Sequence, residues 1–218
     1  MKQEMLNFKK YFPSGMDAPD ALVIFLHGYG ANGLDLLDIG KMWSPNLPNT
    51  LFLSPDAPDP CEMGGGGFQW FSLQTYTPEV MRAGADKVVK DLIEFITIKK
   101  EEYEIQDGNV FLVGFSQGTM MSLHAASLLG RKLGGVVGYS GAYLYESIAE
   151  DNKITEIPIC LVHGDADPVV PVTATQMATK VLSESGAAIS THIIPGLQHG
   201  IDQQGLKIGL EFLKNHSQ

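Results

Sequence analysis

The sequence predicts an α/β fold, a mostly parallel central sheet with helices on both faces. Three observations predict it. Six short apolar runs each stop at, or just before, glycine, proline or serine. Segments of helical period lie between most of them. The 218 residues are 44% hydrophobic and 18% charged, which suits one folded core and not a disordered chain. Strands alternating with helices in this way form parallel sheets with crossover helices.

The apolar runs are Ala21–Leu26, Thr50–Ser54, Asn109–Val113, Gly135–Tyr139, Ile159–Val162 and Ile189–Ile194. Continuous apolarity over so few residues marks strands buried on both faces. The clearest helix runs from Pro78 to Lys100. Met81, Ala85, Val88, Leu92 and Ile96 form one stripe on a 3.6-residue period. Thr77 is placed to cap it, with Pro78 in the first turn and Glu79 at the favourable dipole end. Ser116–Leu129, Val172–Ser185 and Gln203–Asn215 are the other helical segments. The whole chain, 1–218, reads as a single domain with one irregular excursion over residues 55–77. That excursion carries Gly64–Gly67 followed by Phe68-Gln-Trp-Phe71, and reads as a mobile loop beside aromatics.

A formal charge of −10 repels phosphate backbones and anionic lipid, so nucleic acid is excluded as an expected partner. No apolar run approaches the ~20 residues of a membrane helix, so no stable membrane insertion is expected. The first residues, MKQEMLNFKKYF, are charged where a signal peptide is apolar. Two cysteines, Cys61 and Cys160, make neither a disulfide framework nor a zinc pattern, and Cys160 lies in an apolar run as an inert core thiol would. These features together read as a reduced, cytoplasmic protein.

The chemistry begins at Gly114-Phe-Ser-Gln-Gly118, a G-x-S-x-G match that follows one strand and opens a helix. This is the setting in which a serine is held on a sharp turn as a nucleophile, and it singles out Ser116. Gly138-Tyr-Ser-Gly-Ala142 resembles it but lacks the last glycine, which makes Ser140 a poor nucleophile. A serine hydroxyl needs a base, and the base needs an orienting carboxylate. In this topology both come from loops after later strands, acid first and histidine second. Of six histidines, His199 in Gly196-Leu-Gln-His-Gly200 alone lies between the last strand and the last helix. The acid is Asp165 or Asp167, both in the loop after Ile159–Val162, and spacing does not choose between them. His27-Gly-Tyr-Gly-Ala-Asn-Gly33 follows the first central strand and nominates the backbone N–H groups of Tyr29 and Gln117 as an oxyanion hole.

Together, His27-Gly-x-Gly, Gly114-Phe-Ser-Gln-Gly118, Asp167-Pro-Val-Val-Pro171 and Gly196-Leu-x-His-Gly200 resemble the phospholipase/carboxylesterase family, with Pro58 and Trp70-Phe71 also fitting its pattern. The family groups acyl-protein thioesterases with bacterial carboxylesterases on the α/β-hydrolase fold. The resemblance spans residues 20–215 and assigns the acid to Asp167, the nucleophile to Ser116 and the base to His199. Tyr29 stands where the family often has leucine, and the Gly64–Gly67 run departs from its pattern.

The resemblance implies hydrolysis of carboxylic esters or thioesters through an acyl-enzyme, with no metal or organic cofactor. The expected partner is a small-molecule or acylated-protein ester. For the acyl group the loop residues Met63, Phe68, Trp70, Phe71 and Leu73 stand out, and Val169 and Val170 directly follow the acid. Apolar loop residues near such a groove also fit a homodimer. A short-chain or aryl esterase acting on non-lipid substrates, or a non-catalytic binding module on the same scaffold, are the alternative readings.

Overall fold

The computed structural model describes residues 6–15, 18–145 and 152–217. The N-terminal pentapeptide, part of the segment read above against a signal peptide, lies outside them. Seven strands form one sheet: β1 (Phe8–Tyr11), β2 (Ala21–Leu26), β3 (Thr50–Pro55), β6 (Val110–Phe115), β7 (Gly135–Tyr139), β8 (Ile159–Gly164) and β9 (Ile189–Ile194). Their spatial order is β1-β3-β2-β6-β7-β8-β9. All neighbours pair in parallel except β1, which runs antiparallel along β3. The remaining two strands, β4 (Asp59–Pro60) and β5 (Phe68–Gln69), make a separate antiparallel ribbon. The helices are α1 (Leu37–Trp43), α2 (Pro78–Glu102), α3 (Gln117–Leu128), α4 (Val172–Glu184) and α5 (Gln203–His216).

Each apolar run became a strand, and those of β2, β3, β6, β7 and β8 feed two cores at once, whereas β9, expected to be buried on both faces, lies at the sheet edge with only Ile194 buried. On β2, Leu22, Ile24 and Leu26 join the core beneath α2, α3 and α4, while Val23 and Phe25 join the core beneath α1 and α5. Every residue of β2 and β3 is buried. Each large apolar side chain so buried contributes roughly 1.5–3 kcal/mol. The α2 stripe is buried along its length, and the Thr77 side chain accepts the N–H of Val80 as the cap. The α3 helix is buried almost all round, as expected of an apolar helix packed centrally over the sheet. Among the described residues no helix is long and apolar enough to cross a membrane.

Besides the two-residue strands β4 and β5, two elements had escaped the sequence, β1 and α1. The edge strand Phe8–Tyr11 is short and carries Lys9 and Lys10 outward, a composition that discourages further strand pairing. The α1 helix carries a glycine at its centre. A Cβ on Gly40 would meet the Phe52 ring at 2.8 Å, so the residue that weakens the helix is the one that lets it lie close to β3.

The chain leaves β2 toward β3 and returns to pair β6 on the other side of β2. Loops after β2 and β6 therefore diverge and open a crevice at the carboxyl edge of the sheet. At that crevice α3 comes hard against the end of β2. A Cβ on Gly118 would lie 1.8 Å from the Leu26 carbonyl oxygen, and one on Gly114 would lie 2.4 Å from that of Gly118. The obstacles are backbone atoms, which cannot swing aside. Gly118→Ala is expected to cost on the order of 3 kcal/mol, measured by urea denaturation.

Candidate active site

Ser116 is the hinge between β6 and α3, with φ 53° and ψ −116°, a conformation costing a non-glycine residue roughly 1–3 kcal/mol. The surroundings hold it there. Its N–H donates to the Tyr139 carbonyl at 2.9 Å, and its own carbonyl accepts from Thr119 and Met120. Ser140 repeats the positive φ, at 47°, but is only 1% exposed, and its hydroxyl has no partner among the described residues.

The loop after β2 sits beside this serine. A Cβ on Gly28 would lie 3.5 Å from Ser116 Cβ. Three bonds fix that loop. The Ala57 N–H donates to His27 Nε2 at 3.0 Å, so Nδ1 carries the proton and donates to the Gly28 carbonyl at 2.7 Å. Trp70 Nε1 donates to the His27 carbonyl at 3.0 Å. Burial lowers the His27 pKa, which keeps this ring neutral. The Gln117 side chain accepts from the Trp70 N–H and donates to the Phe71 carbonyl, tying the first turn of α3 to the same segment.

His199 and Asp167 meet from the loops after β9 and β8. His199 Nδ1 donates to Asp167 Oδ2 at 2.7 Å, leaving Nε2 for a proton acceptor's role. Phe115 packs on the imidazole with ring centroids 4.8 Å apart. The Asp167 side chain is fully buried, and its other oxygen accepts from the Val169 and Val170 amides. Desolvation works against ionisation, but the His199 bond and the two amides outweigh it, so the carboxyl stays below its ordinary value. Asp165 instead accepts the Gly196 N–H at 2.6 Å and braces the turn. Of the two aspartates that spacing left open, Asp167 is the one hydrogen-bonded to His199.

Ser116, Gln117 and His199 open onto one cleft of about 230 Å³, walled by Tyr29, Leu73, Tyr76, Phe115, Met120, Val169 and Val170. Among the described residues the Ser116 hydroxyl makes no hydrogen bond, so the bond from serine to histidine is open in this state. Such bonds commonly tighten only around a bound substrate.

A profile of the phospholipase/carboxylesterase family matches residues 12–217. The chain belongs to that family. It is a carboxylic-ester hydrolase of the α/β-hydrolase fold. It is 27% identical to esterase YpfH of Escherichia coli over 193 residues, 88% of this chain and 82% of the relative. It is 28% identical to acyl-protein thioesterase 1 of Debaryomyces hansenii over 211 residues, 88% of this chain and 89% of the relative. Among solved structures it resembles that of esterase PE8, with a TM-score of 0.91 and 32% identity over 97% of this chain and 99% of that one.

Within this family member, the residues nominated for acyl contact divide. Leu73, Val169 and Val170 wall the cleft. Met63, Phe68, Trp70 and Phe71 do not. Met63 is 82% exposed on the glycine turn. Trp70 is completely buried, and its indole N–H donates to the His27 carbonyl. Phe71 is buried in the core and Phe68 packs against it, while the Phe68 backbone pairs with Gly30 and Ala31. The 55–77 segment is thus less loose than its composition suggested. Gly64, Gly65 and Gly66 all take positive φ, and a Cβ on Gly67 would lie 1.8 Å from the Gly30 carbonyl oxygen. The run turns the β4–β5 ribbon back onto the loop after β2.

Sequence reasoning missed three contributors. Phe115 is the variable residue inside G-x-S-x-G. Tyr76 lines the cleft, its phenol raised above the ordinary value by burial and then by the Asp167 charge. His163, at the end of β8, is fully buried beneath the site. Its Nε2 donates to the Val170 carbonyl at 2.9 Å and lies 3.3 Å from Asp167 Oδ2, and its Nδ1 bonds Thr175 Oγ1 at 2.7 Å. Burial pushes the Cys160 thiol up, in keeping with an inert core thiol.

Two outcomes are expected. His163→Phe strands the Val170 carbonyl, leaves the Thr175 hydroxyl only its bond to the Gly141 carbonyl, and costs about 1–3 kcal/mol by chemical denaturation. Because the folded-state pKa of Asp167 is depressed, its stabilisation is complete above the ordinary aspartate value of about 3.9 and is lost as pH falls through the lower folded value. The Tm difference between wild type and Asp167→Asn should therefore shrink as pH falls from about 5 to about 3.

Proposed function

We propose that this chain hydrolyses carboxylic esters or thioesters in two steps through an acyl-Ser116 intermediate. The observation that carries the reading is a buried carboxylate, Asp167, bonded at 2.7 Å to an imidazole that shares a cleft with a strained serine at a strand–helix elbow. No purely architectural purpose requires that combination.

In acylation, His199 Nε2 takes the Ser116 hydroxyl proton as Oγ bonds the acyl carbon. The carbonyl π pair moves onto oxygen, where the Tyr29 and Gln117 amides hold it. Asp167 keeps the imidazole in the required tautomer and stabilises the imidazolium. The tetrahedral adduct collapses, its bond to the alcohol or thiol breaks, and His199 hands the proton to that leaving group. Water then repeats the sequence against the acyl-enzyme, releasing the acid and restoring Ser116.

The acyl-protein thioesterase named among the relatives supports including thioesters and acylated proteins beside small esters. A non-catalytic module on this scaffold is the competing reading, and covalent labelling separates the two. A fluorophosphonate probe should label Ser116 in the folded protein, and Ser116→Ala should lose labelling and ester hydrolysis together with an unchanged circular-dichroism spectrum. An unlabelled wild type would refute the hydrolase mechanism. Asp167→Asn should lower kcat by on the order of 10⁴-fold, the scale seen when a triad carboxylate is neutralised. Asp165→Asn, which only loosens a turn, should lower it by less than about tenfold.

A further inference from the structure

Two walls of the cleft are held by one side chain outside it. Glu62 sits at the start of the glycine turn, and its backbone N–H is anchored to Gln69 Oε1 at 2.9 Å. Its carboxylate oxygen Oε1 accepts the Tyr29 hydroxyl at 2.9 Å and the Leu73 N–H at 2.9 Å. Its Oε2 accepts the Ser72 hydroxyl at 2.8 Å. Tyr29 and Leu73 belong to separate segments, and both line the cleft. The Ser72 bond, then those from Leu73, Tyr29 and Gln69, keep the Glu62 carboxyl below its ordinary value against some desolvation, so it is a charged acceptor at neutral pH.

Tyr29 is the one of these residues that adjoins the reacting centre. Its amide is assigned to the oxyanion, so its side chain leaves the backbone beside the acyl carbonyl. A phenol on an untied loop could rotate away from an incoming chain. Here the far end of the ring is fixed, and the same carboxylate fixes the Leu73 backbone. The cleft that results, about 230 Å³, is smaller than the roughly 300–1,000 Å³ of sites that enclose drug-sized ligands. A long acyl chain together with its leaving group exceeds that space unless a wall moves.

We propose that Glu62 is a positioning residue for acyl-chain length: by tying Tyr29 to the Ser72–Leu73 segment it holds the cleft closed around short acyl groups, acetyl to hexanoyl. The proposal rests on the hydrolase reading above and specifies its substrate class.

The test is a chain-length series of p-nitrophenyl esters, from acetate through butyrate and octanoate to laurate, with wild type, Glu62→Ala and Glu62→Gln. Wild-type kcat/KM should fall by about tenfold or more between butyrate and octanoate. Glu62→Ala should raise the octanoate-to-butyrate ratio about tenfold, chiefly through a lower KM for octanoate, with fluorophosphonate labelling of Ser116 at the wild-type rate. Glu62→Gln keeps one acceptor oxygen and should fall between the two. A wild type that cleaves laurate as fast as butyrate overturns the proposal. So does a Glu62→Ala ratio equal to wild type with labelling intact, and that result leaves the hydrolase reading standing. A wild type that neither labels nor cleaves any ester overturns the hydrolase reading, and the chain-length proposal falls with it.

Discussion

The close approach of α3 to the end of β2 is the constraint from which the site follows. Gly118 stands against the Leu26 carbonyl, and Gly114 stands against Gly118. Removing two Cβ atoms lets a helix begin where a strand has barely ended, and the residue between them is left in a conformation it would not choose. The same approach carries Ser116 to the loop after β2, where a Cβ on Gly28 would lie 3.5 Å from Ser116 Cβ. The serine proposed as nucleophile and the loop proposed to hold the oxyanion are therefore brought together by one packing event and not two. The apolar faces of β2 and β6, buried on both sides, provide the energy that holds the strain in place.

A second constraint organises the opposite wall. Asp167 has no exposed surface, and an isolated buried carboxylate would be costly. Two amides on one oxygen and His199 on the other satisfy it. The Pro-Val-Val-Pro segment that follows the acid is thereby bent back onto it, which presents Val170 to the cleft while its carbonyl receives the His163 proton. Asp167, His199 and the Val170 wall are parts of one hydrogen-bonded unit, and loosening His163 loosens all three.

How far the sequence was legible follows from the range of the interactions involved. The central strands from Ala21 to Gly164 and the long helix from Pro78 were readable because burial on two faces, or on one stripe, writes itself into local periodicity. Ser116, Asp167 and His199 were readable as candidates because each follows a strand end in a recognisable local motif. What could not be read depends on contacts between segments. The central glycine of α1 answers to the Phe52 ring, not to helix propensity. Trp70 looked like an acyl contact, yet its indole is taken by the His27 carbonyl. Glu62 carries no local signal at all, since the three partners of its carboxylate come from elsewhere in the chain.

That last contrast bears on how such a scaffold divides its labour. The groups assigned to chemistry are fixed by the sheet, through strand ends whose positions the whole core maintains. The groups that shape the acyl space are fixed by a two-stranded ribbon and a glycine turn on the periphery, through side-chain bonds that a single substitution can remove. Changes at Glu62 or Tyr29 therefore act on a wall without disturbing the elbow, whereas changes at Gly118 act on both. Substrate range can drift in a site built this way while the proton relay stays where it is, because the two are held by different parts of the structure and at very different energetic cost.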